Sequence, residues 1–133
     1  MAEMTCIVVT PEATVLEETA EFVAVPLCDG EMGISPNHAP MIGRLGYGEL
    51  RLRNGSDTKC FYVDGGFVQV NDNVVSVMTN RALAVGNLNE EEARELLETA
   101  AKTRANTDDL FESRDRTIEQ ARAQIRVAKR AKK

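Results

Sequence analysis

Hydrophobic positions change their period once along this chain, near Gly86 and Asn87. Before that point apolar residues come in short, β-branched runs. They are "TCIVVT" at 5–10, "AEFVAVPL" at 20–27, "TKCFYV" at 58–63, "FVQV" at 67–70 and "VVSVMT" at 74–79. Runs of this length, bounded by turn formers, predict strands. Asp64-Gly65-Gly66 and Asn71-Asp72-Asn73 separate the last three runs. Both suit the positive φ angles of tight hairpins, so a three-stranded meander is expected there. All nine glycines and all four prolines lie in residues 1–86. Short strands with frequent turns predict an antiparallel β-sandwich or barrel.

From Asn87 the period becomes helical. Asn89 can cap a helix, with Glu92 three residues on as in a capping box. Glu90, Glu91 and Glu92 then fall in the first turn, where the helix dipole favours negative charge. Ala93, Leu96, Leu97, Ala100 and Ala101 recur at three- and four-residue spacing. Asn106-Thr107 interrupts the pattern, and either residue can cap a second helix. Phe111, Ile118 and Ile125 follow at seven-residue spacing, with Ala121 and Ala128 between them. The expected architecture is a β-domain over residues 1–86 followed by an α-helical hairpin over 87–133. The hairpin seam is mostly alanine, and helices of this length are marginal alone. Two readings stay open: a solvated pair resting on the β-domain, or a mobile element that extends along a partner.

Charge separates the same two regions. The chain has 16 basic and 21 acidic residues, a formal net charge of −5. Residues 1–86 carry five basic and 11 acidic side chains, whereas residues 87–133 carry 11 and 10. After Glu119 every charged side chain is basic: Arg122, Arg126, Lys129, Arg130, Lys132 and Lys133. The acidic balance argues against nucleic acid as the main partner. No apolar run approaches the ~20 residues of a membrane-crossing helix, and no signal-peptide layout opens the chain. A cytosol-like compartment is therefore expected. Cys6, Cys28 and Cys60 are widely spaced, and with a single histidine they form no zinc-type cluster. They are expected to be small buried hydrophobes.

"GEMGISPNHAP", residues 30–40, holds that histidine, His38, together with Pro36 and Pro40. A general base needs an orienting partner and a substrate pocket. The stretch supplies no nucleophile at motif spacing and no phosphate-binding loop. The prolines instead stiffen the loop and remove backbone donors. A loop that keeps its shape before binding lowers the entropic cost of docking. His38 is therefore expected to contact a partner or support the loop, with a plain structural role as the alternative, rather than to catalyse.

The same stretch resembles the signature segment of the ε subunit of F-type ATP synthase, Gly-Glu-x-Gly-Ile/Val-Leu-Pro-Gly/Asn-His-Ala-Pro, with Ser35 replacing leucine. "GGFVQVNDNVVSV" at 65–77 is similar to the second block of that family, and "ARAQIRVAKR" at 121–130 to its terminal helix. The resemblance runs along the whole chain. It implies a non-catalytic central-stalk subunit that couples the catalytic head to the proton-driven rotor and inhibits ATP hydrolysis through its C-terminal helices. It implies binding of the β-domain to the γ subunit and the c-ring, and of the helices to the α/β catalytic head. Association with the membrane would be indirect, on the cytoplasmic face of a bacterial membrane or the stromal side of a thylakoid.

By the resemblance Glu31 and His38 face the c-ring loops and the foot of γ. Gly30 and Gly33 would permit the turn presenting Glu31, and Met32, Pro36 and Pro40 complete that interface. For Glu31 an ordinary solvated turn carboxylate remains the alternative. Arg122, Arg126, Lys129 and Arg130 would meet an acidic segment of the catalytic head, or else serve the negative end of their own helix. Arg44, Arg51 and Arg53 read as solvated strand-face charges. Some family members bind ATP at the hairpin through Ile/Leu-Asp-x-x-Arg-Ala and arginines on the second helix. Here Asn89 stands in the Asp place, Arg94 comes one residue late, and Gln120 and Gln124 replace arginines. No cofactor is therefore expected. The competing reading is a free-standing β-barrel binding domain with a helical dimerisation tail.

Overall fold

The computed structural model describes residues 3–103 and 107–131. Residue contacts divide the chain into two units, one ending at Ala84 and the other beginning at Val85.

The first unit is an eight-stranded β-sandwich. Its strands are β1 (Met4–Val9), β2 (Thr14–Ala20), β3 (Phe22–Leu27), β4 (Gly30–Ile34), β5 (Met41–Asn54), β6 (Asp57–Asn71), β7 (Val74–Met78) and β8 (Ala82–Ala84). They are hydrogen-bonded in the order β2-β1-β7-β6-β5-β3-β4, with β8 pairing β6 off this path. All pairs are antiparallel except β1 with β7. Alternation places one side of each strand inside. In β1, Met4, Cys6 and Val8 are buried while Thr5, Ile7 and Val9 point outward. The core gathers these with Val23, Val25, Ile34, Leu50, Val63, Val68 and Val75, among others. Fully burying a side chain of this size stabilises by about 1.5–3 kcal/mol, so the sandwich rests on a dense valine-rich interior.

Two expectations about turns are corrected. Asp64-Gly65-Gly66 does not close a hairpin; "TKCFYV" and "FVQV" are one strand, β6, running straight through it. The β5–β6 pairing holds a single register from Met41↔Val70 to Asn54↔Asp57. Gly65 and Gly66 take positive φ of 75° and 109° and bend the strand. A Cβ on Gly66 would lie 1.9 Å from the Met78 carbonyl oxygen. The bend is fastened by Asp64, whose backbone N–H donates to Thr79 Oγ1 (3.1 Å) and to the Arg81 carbonyl (3.1 Å). The Tyr62 hydroxyl donates to Asp64 Oδ1 at 3.0 Å. Likewise Gly30–Gly33 form no turn but an edge strand, β4. The true hairpin turn of this region is Asn71-Asp72-Asn73-Val74, with Asp72 and Asn73 at φ 52° and 60°, the left-handed pair that two-residue hairpins require.

The second unit opens with a 3₁₀ turn, Val85–Asn87, and continues as α1 (Glu90–Lys102) and α2 (Asp108–Ala131). Asn89 caps α1, its side chain accepting from the Glu92 N–H at 3.2 Å. Thr107 caps α2, accepting from the Leu110 N–H at 3.2 Å; the alternative cap, Asn106, lies outside the described residues. Buried Ala93 and Ala100 on α1, and Ala121 and Ala128 on α2, sit seven apart on their helices. The short link makes the pair a hairpin. Leu96 and Phe111, expected in the seam, are exposed. Phe111 instead carries the Arg114 guanidinium over its ring, 4.8 Å from the centroid. Arg114 also donates to the Thr103 carbonyl at 3.3 Å, satisfying the C-terminal end of α1.

Candidate functional site

The segment 30–40 divides into two places. Glu31 lies on β4, opposite Pro26 of β3. Arg51 of β5 reaches across β3 and donates from Nη2 to Glu31 Oε1, while its Nε lies 3.7 Å from Glu49 Oε1. Arg51 is thus shared between two carboxylates, not a plain solvated charge. A Cβ on Gly33 would lie 2.7 Å from the Phe22 ring, which would have to shift to admit it. Met32 is half-buried against the core. Arg53 lies over the other face of this local cluster, 5.1 Å from the Phe22 ring centroid.

Residues 35–40 form the second place. The His38 N–H donates to the Ser35 carbonyl at 3.2 Å, closing a turn with Pro36 and Asn37 at its centre. Asn37 adopts φ 66°, the left-handed conformation that Asn tolerates. Its backbone N–H donates to Asn73 Oδ1 at 2.6 Å, and Asn73 Nδ2 donates to Asn37 Oδ1 at 3.2 Å. The loop is thereby fastened to the β6–β7 turn. His38 Nδ1 lies 2.7 Å from the Ala39 carbonyl. A carbonyl can only accept, so Nδ1 holds the proton and donates. Pro36 is half-buried, and Pro40 is exposed just before β5. No nucleophile or carboxylate is bonded to the ring of His38 among the described residues, so the constellation of a general base is missing.

A third feature has no counterpart in the sequence reading. The outer side of β5, β6 and β7 carries Ile42, Phe67 and Met78, which are 74%, 52% and 44% exposed. Phe67 pairs with Arg44 on one side and Met78 on the other, and directly opposed residues share a face. Ile7 and Val9 of β1 continue the face beside β7 through Ile7↔Ser76 and Val9↔Met78. Beside it lies a groove of about 510 Å³ lined by Val9, Arg44, Phe67, Met78, Thr79 and Asn80 among others. "MIGRL", "FVQV" and "VVSVM" carry the signal: Ile42, Phe67, Val74 and Met78 put apolar side chains at outward positions, alongside Arg44, Gln69 and Ser76. A sheet open to water on one side alternates apolar with polar.

In the helical unit, Arg122, Arg126 and Lys129 are exposed at four- and seven-residue spacing, which puts them on one side of α2, with Arg130 adjoining. Lys132 and Lys133 lie outside the described residues. Arg94 is held by Glu90 at 2.8 Å, one turn earlier. Asn89 is engaged as a cap. Gln120 and Gln124 are half-buried.

The cysteines differ from expectation. All three are free thiols, yet only Cys6 is buried; Cys60 is half-buried and Cys28 exposed. Burial, and secondarily the charge of Glu18, pushes the Cys6 thiol up to about 12. Among the described residues no group of three His, Cys, Asp or Glu side chains is placed to hold a metal ion, and no helix is long and apolar enough to cross a membrane.

Comparison with known proteins identifies the family. Residues 3–85 match the family model of the ATP synthase delta/epsilon chain β-sandwich domain. The chain is 46% identical to the ATP synthase epsilon chain of Rhodopirellula baltica, over 93% of this chain and 97% of that one. It is 33% identical to the ATP synthase epsilon chain of Granulibacter bethesdensis, over 97% and 99%. Among solved structures, a chain of the Euglena gracilis mitochondrial ATP synthase superposes with a TM-score of 0.82 at 23% identity, covering 92% of this chain and 79% of that one. A chain from the central stalk and c-ring of the Tetrahymena thermophila enzyme superposes with a TM-score of 0.71 at 17% identity, covering 94% and 96%.

Proposed function

The chain belongs to the ATP synthase epsilon-chain family, and from that premise we propose that it is a non-catalytic central-stalk subunit whose β-sandwich docks on the γ subunit through the face of Ile42, Phe67 and Met78. That exposed apolar face is the observation that carries the reading. A surface row with Ile42 at 74% exposure is stable in water only at a cost, and a partner that covers it removes that cost. The fastened loop at Pro36, Asn37 and His38 and the edge strand bearing Glu31 supply the contact with the c-ring. Coupling follows from holding both partners on one rigid sandwich. Membrane association is then indirect, through the ring.

The helical unit carries the regulatory role. Its row of Arg122, Arg126, Lys129 and Arg130 suits an acidic segment of the α/β head, where attraction strengthens as water is excluded. The hairpin is read as a weak ATP binder at most: Arg94 stands beside Glu90 and Asn89 serves as a cap, which supports that reading.

The test is binding of the full-length chain to its cognate α3β3γ head, with an Ile42→Ser/Phe67→Ser variant beside it. Folding should be unchanged, since both side chains point to water. Binding should weaken by at least about tenfold, because apolar anchors dominate such contacts. Unchanged binding of a folded variant would remove this face as the docking surface.

A further inference from the structure

Arg44 stands inside the apolar face. It lies on β5 two residues from Ile42, on the same side of the strand, and directly opposite Phe67. Its side chain is exposed and borders the groove with Met78 and Thr79. The other strand cations of the sandwich are engaged. Arg51 is paired with Glu31 and Glu49, Lys59 with Glu18, and Arg53 lies over Phe22. Arg44 has no ion pair, side-chain hydrogen bond or ring contact among the described residues. Water solvates it in the free protein.

Covering the face changes that balance. A guanidinium taken out of water without a partner is strongly unfavourable, and its charge cannot be discharged by losing a proton, because Arg stays protonated. The apolar neighbours on the face, Ile42, Phe67 and Met78, offer no acceptor, and its polar members Gln69 and Ser76 carry no charge to balance the cation. Among the sandwich carboxylates, Glu31, Glu49 and Glu18 already hold Arg51 and Lys59, and none is ion-paired with Arg44 among the described residues. The compensating charge must come from the occupant.

We infer that Arg44 is the specificity determinant of this docking face, and that the γ subunit presents a carboxylate flanked by apolar side chains to the groove between Arg44 and Met78. The inference rests on the reading of the face as the γ-docking surface. Ile42 and Phe67 supply area that many apolar surfaces would match; Arg44 makes the match selective. A planar guanidinium can hold a carboxylate through two parallel N–H donors, which fixes orientation as well as charge. A partner lacking the acid would strand the cation and be rejected, the difference in affinity on which selectivity depends.

The experiment measures binding of the full-length chain to the cognate α3β3γ head at low and high salt, for wild type, Arg44→Glu, Arg44→Gln and Arg44→Lys, with Ile42→Ser/Phe67→Ser as the control. Thermal melting first establishes that all variants fold. Arg44→Glu should weaken binding by about tenfold or more, Arg44→Gln by less, and Arg44→Lys least, as expected for a charge pair lost at an interface. Wild-type binding should fall with added salt more steeply than Arg44→Gln binding. If the control weakens binding while Arg44→Glu does not, the face docks γ but the acidic contact is wrong. If neither weakens binding, the docking surface and the inference fall together. If Arg44→Glu binds tighter, the partner presents a cation and the inference is overturned.

Discussion

Arg51 of β5 donates to Glu31 of β4 across the strand that separates them. The carboxylate expected to meet the rotor ring is therefore already engaged within the free protein. Arg51 and Glu31 are 33% and 45% exposed, which places their bond among screened surface pairs. Glu31→Ala should lower stability by about 0–1 kcal/mol. Arg51→Ala should cost more, because it also removes the cation that lies 3.7 Å from buried Glu49. Urea unfolding of both single variants and the double variant reads the coupling. A loss above about 2 kcal/mol for Glu31→Ala would show the pair to be stronger than surface screening allows.

Gly66→Ala should be among the most damaging single changes in the sandwich. The added Cβ would meet the Met78 carbonyl oxygen at 1.9 Å, at a φ of 109° that L side chains rarely adopt. A loss of at least about 2 kcal/mol is expected, since both clash and strain contribute. Gly55→Ala is the comparison: φ is 66° there, but nothing lies within 4 Å. It should cost about 1 kcal/mol. Equal melting temperatures for the two variants would contradict the close packing at Gly66.

Thiol reactivity should rank by position. Cys28 should alkylate first and Cys6 only on unfolding, which mass spectrometry of the native protein under limiting reagent can read. Stability should also fall at high pH. The folded Cys6 thiol is raised to about 12 from 9.0, so the unfolded chain ionises first. Its contribution is fully present below pH 9.0 and is lost as pH rises from there towards 12, by at most about 1.4 kcal/mol per pH unit. Cys6→Ala should show a shallower alkaline decline than wild type. Matching declines would assign the loss to other groups.

ATP should bind the isolated protein at millimolar concentration or not at all. A triphosphate needs several cations together. At the start of α1, Arg94 is held by Glu90, and no second arginine stands at positions 120 and 124. Titration calorimetry measures it directly. A dissociation constant in the low micromolar range would overturn this reading of the hairpin.

A chain ending at Gly86 should fold and still bind the α3β3γ head. It retains all eight strands, and every member of the buried core cluster lies within residues 4–77. What should be lost is restraint of ATP hydrolysis. Reconstituted heads with the shortened chain should hydrolyse faster than heads with the full chain, and Arg122→Glu/Arg126→Glu should reproduce part of the rise. Added salt should weaken restraint by the intact chain. Equal hydrolysis at saturating full and shortened chains would reduce the hairpin to a structural appendage.

Local chemistry was legible, and long-range pairing was not. Asn89 and Thr107 act on N–H groups three residues away, so capping could be read directly from spacing. The β6–β7 turn was equally local. By contrast, Asp64-Gly65-Gly66 carries turn chemistry that its pairing with β5 overrides: the ladder on both sides keeps the chain extended. β2 escaped notice because "TVLEETA" is an edge strand whose exposed positions carry Glu17 and Thr19. The strand character of β5 was legible at Arg44, Arg51 and Arg53, but Gly43, Gly46 and Gly48 mask its continuity as one strand of 14 residues. The links that shape the candidate surfaces, Glu31 to Arg51 and Asn37 to Asn73, span 20 and 36 residues and leave no local signal.

The unbroken register of β5 and β6 has a mechanical consequence. Thirteen residue pairs lie in one ladder that passes through the bend at Gly65-Gly66. A pull along the strand axis loads these bonds in parallel, so they must shear together rather than open one after another. Had the chain turned back at Asp64, the same pull would peel a short hairpin bond by bond. A load that reaches the sandwich from partners at its two ends and runs along these strands is carried in this lengthwise sense. On the proposed function, the continuous ladder makes the sandwich a stiff coupling with little elastic give, so that angular displacement entering at one strand end leaves at the other with little lag.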